Sequence, residues 1–461
     1  MSEAKIKPKL WEAVTILLIM LVIMGIGIIG LHLTPVVPIL SVILLLILWG
    51  RFRGYSWDDI NDSFVVGVKN GIIPLFIFLL IGSLIGVWIM SGVIPTLMVY
   101  GFHILSIRWF LPSVFLMCAF VGCFIGSAFT IISTVGIAAM GIGITMGINP
   151  AMIAGAVVSG AVFSDKMSPL SATTNLASAI AGDDLYDHIK NMMWSTVPAF
   201  VISLILFAII GGTHKAASLA KITSTAHVLT SNFTVSAWML IPVLLLLVCA
   251  WTKIPTIPTL FINILVTICM TLVNPHNHYS FAKIADVMQN GFKIHTTSAE
   301  VNQILNRGGI ISMTGTMTLI IIALALGGLL INLGVINVVM DRFSAHIKST
   351  GMLILSTVLA AIGVNIFIGE QYLSIILPGT AFKADYKKAG LAPEALGRAL
   401  EDGGAVINYL VPWGVAGVFV ANTLNVPTLQ YLPFVFFSLL CPVFSVLSGF
   451  TGIGVKKLTK K

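Results

Sequence analysis

Residues 72–99 read IIPLFIFLLIGSLIGVWIMSGVIPTLMV, twenty-eight positions without one charged side chain. A helix rises about 1.5 Å per residue, so about 20 apolar residues cross the roughly 30 Å hydrocarbon core of a bilayer. Comparable runs recur at 10–30, 36–49, 109–125, 192–211, 238–251, 256–273, 316–339, 352–368 and 434–455. Residues 150–182 and 393–424 are also long enough to cross, but polar residues interrupt them. The reading is an all-α polytopic membrane protein of roughly 11–12 transmembrane helices.

Composition agrees. Of 461 residues 57% are apolar and 9% charged, with a mean hydropathy of +1.03, whereas a soluble domain carries roughly 25% charged residues to face water. The gaps between runs are too short for an independent soluble core. A net charge of +8 invites a nucleic-acid reading. The basic residues sit instead in short loops and in the tail Lys456, Lys457, Lys460 and Lys461, as orientation signals and headgroup contacts do. Cys118, Cys123, Cys249, Cys269 and Cys441 lie inside apolar runs and read as small core residues, without metal or disulfide spacing.

The chain repeats itself. Phe124-Ile125-Gly126 matches Phe367-Ile368-Gly369 at a spacing of 243 residues, and at that spacing Gly136, Gly147, Pro150, Gly160 and Pro169 fall on Gly379, Gly390, Pro393, Gly403 and Pro412. Gly92-Val93-Ile94 matches Gly334-Val335-Ile336 at 242, and a Pro-x-x-Pro turn opens a helix in each half, at Pro35 and Pro255. The expected organisation is an N-terminal tail 1–9, a first repeat 10–213, a linker 214–235, a second repeat 236–455 and a basic tail 456–461.

Two interrupted helices occupy matching places. One is Gly160-Ala-Val-Phe-Ser164-Asp165-Lys166-Met-Ser168-Pro169-Leu-Ser171-Ala-Thr173-Thr174-Asn175, the other Gly403-Gly-Ala-Val-Ile-Asn408-Tyr409-Leu-Val-Pro412-Trp413. Proline removes a donor and frees carbonyls, and in lipid such backbone persists only around a buried or wet cavity. Carbonyls, hydroxyls and a carboxylate together suit a small hard cation, and paired broken helices in two halves point to a transporter's binding site. The expected cation ligands are Asp165, Ser164, Ser168, Thr173, Thr174, Asn175 and Asn408. Ser127, Thr130, Lys166, Glu370, Gln371, Glu401 and Asp402 are expected along the ion or proton path. Each has a plainer reading. Asp165 and Lys166 could pair with each other, Glu401 and Asp402 could pair with Arg398, and hydroxyls bond back within their own helices. His276, His278 and His295 read as a solvated loop. Asp183-Asp184-Leu-Tyr-Asp187 has a magnesium-diphosphate spacing but lacks a second acidic cluster, which sets a lipid-active magnesium enzyme aside.

The segment Phe163-Ser-Asp165-Lys166-Met-Ser168-Pro169-Leu-Ser171-Ala-Thr173-Thr174-Asn175 closely resembles the signature of NhaC-type sodium/proton antiporters. In the second half Glu370-Gln371-Tyr372, Leu377-Pro378-Gly379, Glu401-Asp402-Gly403, Val411-Pro412-Trp413 and Asn425-Val-Pro427-Thr428 add to the resemblance, which runs over nearly the whole chain. It implies a secondary transporter of the ion-transporter superfamily, with inverted repeats and re-entrant hairpins, and a family that also includes a malate/sodium-lactate exchanger. The sequence departs from that pattern at Ala172, where relatives often carry an acid, and at Glu370, where they often carry aspartate.

The expected function is therefore sodium/proton exchange by alternating access, with malate/sodium-lactate exchange as the alternative, and no catalysis. Transported sodium and protons replace any cofactor. Expected partners are these ions, the bilayer, a small carboxylate in the alternative reading, and a second copy of the chain as an open option. The expected location is the bacterial plasma membrane, with the N-terminus cytoplasmic by Lys5, Lys7, Lys9 and the basic segment 51–69. The cluster Lys383, Lys387, Lys388 and Arg398 then places the matching segments of both halves on one side, whereas the resemblance implies antiparallel halves.

Overall fold

The computed structural model describes residues 8–69, 71–104, 106–211, 219–252, 254–274, 279–344 and 349–458. Lys5, Lys7, Lys460, Lys461, His276, His278 and positions 214–218 of the expected linker lie outside them. Among the described residues the regular structure is helical, apart from an isolated bridge between Leu391 and Lys457. Eight helices are long and apolar enough to cross a membrane, and three bent pairs raise that number to as many as 11.

In the first half, α1 (Leu10–Met24) and α2 (Val36–Phe52) lead into α3 (Trp57–Lys69) and α4 (Ile72–Ser91). The opening stretch is not one span. It ends at Gly92, whose φ of 94° terminates α4, and α5 (Val93–Ile104) then departs in a new direction. A Cβ at Gly92 would lie 2.7 Å from the Thr234 carbonyl, so the turn is both left-handed and crowded.

Next come α6 (Phe110–Ile125) and α7 (Ala128–Thr145), joined at Gly126 (φ 68°). They form a hairpin, with Gly143 of α7 packed back on the Phe110 ring. Residues 109–125 were expected as a crossing, and 107–125 is among the eight helices long and apolar enough to make one. The chain continues through α8 (Pro150–Met167), a break at 168–171, α9 (Ala172–Ala181) and the long α10 (Leu185–Gly211).

The expected linker carries α11 (Leu219–Asn232). Then α12 (Ile241–Trp251) and α13 (Thr256–Val273) lead to a connection holding α14 (Phe281–Asn290) and α15 (Ala299–Leu305). This connection is not a solvated loop, although His295 within it is exposed. Gly308 packs on Gly86, and the Gly309 N–H donates to the Gly82 carbonyl at 2.7 Å, tying the connection to α4. The second half follows as α16 (Ile310–Asn332), α17 (Val335–Ser344), α18 (Thr350–Ile368), α19 (Gln371–Lys388), α20 (Pro393–Leu400), α21 (Val415–Leu424) and α22 (Phe436–Thr451).

The elements of the two halves correspond at the sequence spacing. Gly126 and Gly369 (φ 73°) end the first hairpin legs, and Gly147 (φ 78°) and Gly390 (φ 71°) end the return legs. Proline begins both α8 and α20, and α9 and α21 end on the left-handed residues Gly182 and Asn425. The two hairpins point in opposite directions, and α22 is the ruler. Near its start, Phe436 packs on Phe207 of α10, whose end at Gly211 touches Arg108 at the base of the first hairpin. Near its end, Phe450 covers Gly351 at the base of the second. The basic residues put the matching segments of both halves on one side, whereas the bases of the two hairpins lie toward opposite ends of α22.

Central elements are sheathed by others. Large apolar side chains are exposed along α1, α2, α10, α12 and α13, for example Leu18, Leu44, Ile205, Leu244 and Leu265. So continuous an apolar exterior, on helices long enough to cross, suits the hydrocarbon of a bilayer. This is a multi-pass membrane protein.

Candidate functional site

The break after α8 is shaped by its own hydroxyls and amide. Ser168 is extended and donates to the Cys123 carbonyl at 2.9 Å, fastening the break to the tip of the first hairpin. Ser171 caps α9 by accepting from the Thr174 N–H. The Thr174 hydroxyl lies 3.2 Å from the carbonyls of Asp165 and Lys166, and Asn175 donates to the carbonyls of Pro169 and Ser171 at 2.9 and 2.7 Å. Thus Ser168, Thr174 and Asn175, expected as cation ligands, occupy the break as clamps on freed carbonyls. Ser164 donates to the Ala161 carbonyl and packs against Gly122, on the side of α8 facing the hairpin.

Asp165 differs. Its carboxylate accepts from the Thr173 hydroxyl at 3.2 Å, and Thr173 lies 2.9 Å from the Ser171 hydroxyl. It borders a cavity of about 100 Å³ that also touches Ser127 and Thr173 from the first half and Gln371 and Tyr372 from the second, with Pro74, Phe78 and Thr256 among its apolar and outer wall. Among the described lining residues Asp165 is the sole carboxylate, and none is basic. Both hairpin tips reach it. Ser127 is held by accepting from the N–H and hydroxyl of Thr130, and Glu370 by accepting from the Leu373 N–H at 2.7 Å. The two residues cap corresponding helices, so Glu370 stands at the expected hairpin tip as a helix cap outside the cavity lining.

Behind the cavity lies a buried ion pair. Lys166, 1% exposed, donates to the Asp402 carboxylate, which is 0% exposed, and to Ser195 at 3.1 Å. The pair joins α8 to a π-helical stretch, Glu401–Ala405, that follows α20. Lys166 does not pair with Asp165, and Asp402 does not pair with Arg398, whose guanidinium donates to the Gly454 carbonyl and the Ser448 hydroxyl. Glu401 is fully buried, and neither carboxyl oxygen has a hydrogen-bond partner.

The π stretch frees carbonyls of its own. Asn365 donates to the carbonyls of Gly403 and Gly404 at 3.2 and 2.6 Å, and Gln371 donates to Ala405 at 3.1 Å. Asn408 donates to the Asn365 side chain and accepts from the Ala416 N–H, both at 2.8 Å. It braces the second break, 411–414, whose far side is closed by the Val415 N–H donating to the Gly369 carbonyl at 2.8 Å. Asn365 and Tyr372 were not singled out as site residues from the sequence. A lone asparagine in the apolar run 352–368 was the available signal for the first, and Tyr372 sits within a quoted motif. Asp183, Asp184 and Asp187 are local structure. Asp184 accepts from the N–H groups of Tyr186 and Asp187 at the start of α10, and Asp183 contacts His188.

A buried carboxylate beside hydroxyl, amide and phenol oxygens, with the neighbouring ammonium already neutralised, can take a small monovalent cation or a proton. A family model described as the Na+/H+ antiporter family matches residues 160–453. The Na(+)/H(+) antiporter NhaC of Alkalihalophilus pseudofirmus is 44% identical, covering 92% of this chain and 91% of its own length. The Na(+)/H(+) antiporter NhaC of Bacillus subtilis is 38% identical, covering 91% and 93%. The malate-2H(+)/Na(+)-lactate antiporter of the same organism is 35% identical, covering 88% and 86%.

Proposed function

The chain belongs to the Na+/H+ antiporter family, and from that premise we propose that it exchanges sodium for protons, both competing for the Asp165 carboxylate. The observation that carries this reading is the cavity itself, where Asp165 is the single acid among described lining residues from both halves. Sodium prefers hard oxygen ligands. Asp165 supplies the charge, and the oxygens of Ser127, Thr173, Gln371 and Tyr372 surround the same space. A proton on Asp165 removes that charge, so the two ions exclude each other. Alternating access follows from the two hairpins, whose tips flank the site from opposite ends: moving one tip opens one face while the other stays closed.

The Lys166–Asp402 pair holds the cavity's rear wall and keeps the ammonium from competing with sodium. Glu401 carries a second proton in this scheme, because a bare charge without a partner in a dry interior is far costlier than a neutral acid. The same geometry favours sodium over an organic acid as the cargo of this cavity, since a carboxylate would meet Asp165 with no described cation lining the space. The bilayer is the bacterial plasma membrane in this reading, with the N-terminus inside by its basic flank.

Everted vesicles test the assignment. Asp165→Asn should abolish sodium-dependent proton movement, and Glu401→Gln should retain sodium transport while moving fewer protons per sodium. Undiminished exchange by Asp165→Asn removes that residue from the mechanism, and an unchanged proton count in Glu401→Gln removes the second carrier.

A further inference from the structure

The connection between α13 and α16 and the end of α21 border a second, half-open polar space, distinct from the Asp165 cavity. Its volume is about 210 Å³, and Gln303, Asn306, Arg307, Asn422, Thr423 and Asn425 are among the residues that line it. Ile85 of α4 touches it, whereas Phe78 touches the Asp165 cavity. Ile85 is seven positions after Phe78, which separates the two levels by about 10 Å along the helix.

Four features of this space belong together. Among the described residues Arg307 makes no ion pair, and its hydrogen bond to the Thr423 carbonyl is a long one, 3.4 Å. Burial lowers its pKa to about 10, with no carboxylate offsetting the effect. Thr423 is 2% exposed, and its hydroxyl is buried without a hydrogen-bond partner. The Asn306 side-chain carbonyl already accepts from the Ile294 N–H at 2.6 Å, which leaves its NH2 group as a donor. No acidic residue is present among the described lining residues. A partly buried guanidinium without a counter-charge and a stranded hydroxyl are both expensive unless a ligand completes them.

We propose that this space is a binding site for a small monocarboxylate anion. One guanidinium matches one negative charge, and its planar fork matches the two oxygens of a carboxylate. The amides of Asn306, Gln303 and Asn425 supply neutral donors and acceptors around the remainder of such a molecule. Chloride would leave most of the volume empty, and a phosphate dianion would need a second fixed cation, for which Lys293 is found only in the adjoining space that shares Arg307. The site does not depend on the sodium/proton reading. It lies at the end of the molecule toward which α21 runs, at a different level from the exchanged ions.

Isothermal titration of the purified full-length protein with tetramethylammonium propionate, at constant sodium and ionic strength, tests this. The expected result is saturable binding, weakened at least about tenfold in Arg307→Gln, the loss of one charge-assisted contact. Thr423→Val, which removes the stranded hydroxyl at nearly constant volume, should weaken binding about threefold and keep the fold if Arg307→Gln does not. Tetramethylammonium chloride and phosphate serve as the other arms. Absence of saturable propionate binding, equal binding of chloride or phosphate, or wild-type propionate affinity in whichever of the two variants folds would overturn the proposal.

Discussion

At the scale of single residues, adjacent charges have opposite assignments. Asp165 and Lys166 are neighbours in sequence, yet Asp165 faces the cavity and Lys166 faces Asp402 across the two halves. Successive residues on a helix point about 100° apart, so one turn of α8 serves both tasks. A buried pair is worth little over an apolar replacement, but removing one partner strands a charge at a cost of about 3–5 kcal/mol. Lys166→Met and Asp402→Leu should each be strongly destabilising, and the double variant should recover most of the loss. Thermal unfolding in detergent measures the cycle, and simple additivity of the two losses would mean that the residues do not act as a pair. The sequence made Asp165 conspicuous through its setting among Ser168, Pro169 and Ser171. It could not say which of several acids Lys166 meets, because that contact spans 236 positions.

At the scale of elements, the hairpin tips carry the design. Gly126 and Gly369 both adopt left-handed backbone, which costs an L side chain about 1–2 kcal/mol. Their surroundings differ. A Cβ at Gly126 would lie 2.7 Å from the Leu170 Cβ, inside the break, whereas at Gly369 the nearest atoms are 3.3 Å away. Gly126→Ala should therefore lower both stability and sodium affinity, and Gly369→Ala should show mainly the smaller backbone cost. Melting temperature and sodium affinity read the difference, and equal effects of the two variants would contradict the packing argument. Much at this scale was legible. Pro150 and Pro393, and Pro169 and Pro412, shared one register, and corresponding helices begin and break there, while Gly136 and Gly379 fall inside the corresponding helices α7 and α19. The pairing of α6 with α7 was not legible from the residues themselves, because each is apolar and long enough to cross, and only contacts such as Gly143 on Phe110 show that they pack side by side. The connection after α13 was misread for a related reason: its polar surface hides Val301, Ile304 and Leu305, which are buried against the bundle.

At the scale of the whole molecule, the opposed hairpins predict which loops share a face. Asn149, following the first hairpin, and Lys388, ending the second, are both exposed and lie at opposite ends. With the five native cysteines replaced, Asn149→Cys and Lys388→Cys should react with a membrane-impermeant maleimide from opposite sides of oriented vesicles. Labelling of both from one side would contradict the antiparallel arrangement. That arrangement bears on the proposed exchange, since a site between two opposed tips can open toward either face by moving one of them.

The most direct test is sodium binding itself, measured calorimetrically on the purified protein in lightly buffered solution together with the protons released. The wild type should bind sodium and release protons in the same titration, and Asp165→Asn should do neither while keeping its melting transition. Sodium binding of wild-type affinity by a folded Asp165→Asn protein would contradict the account.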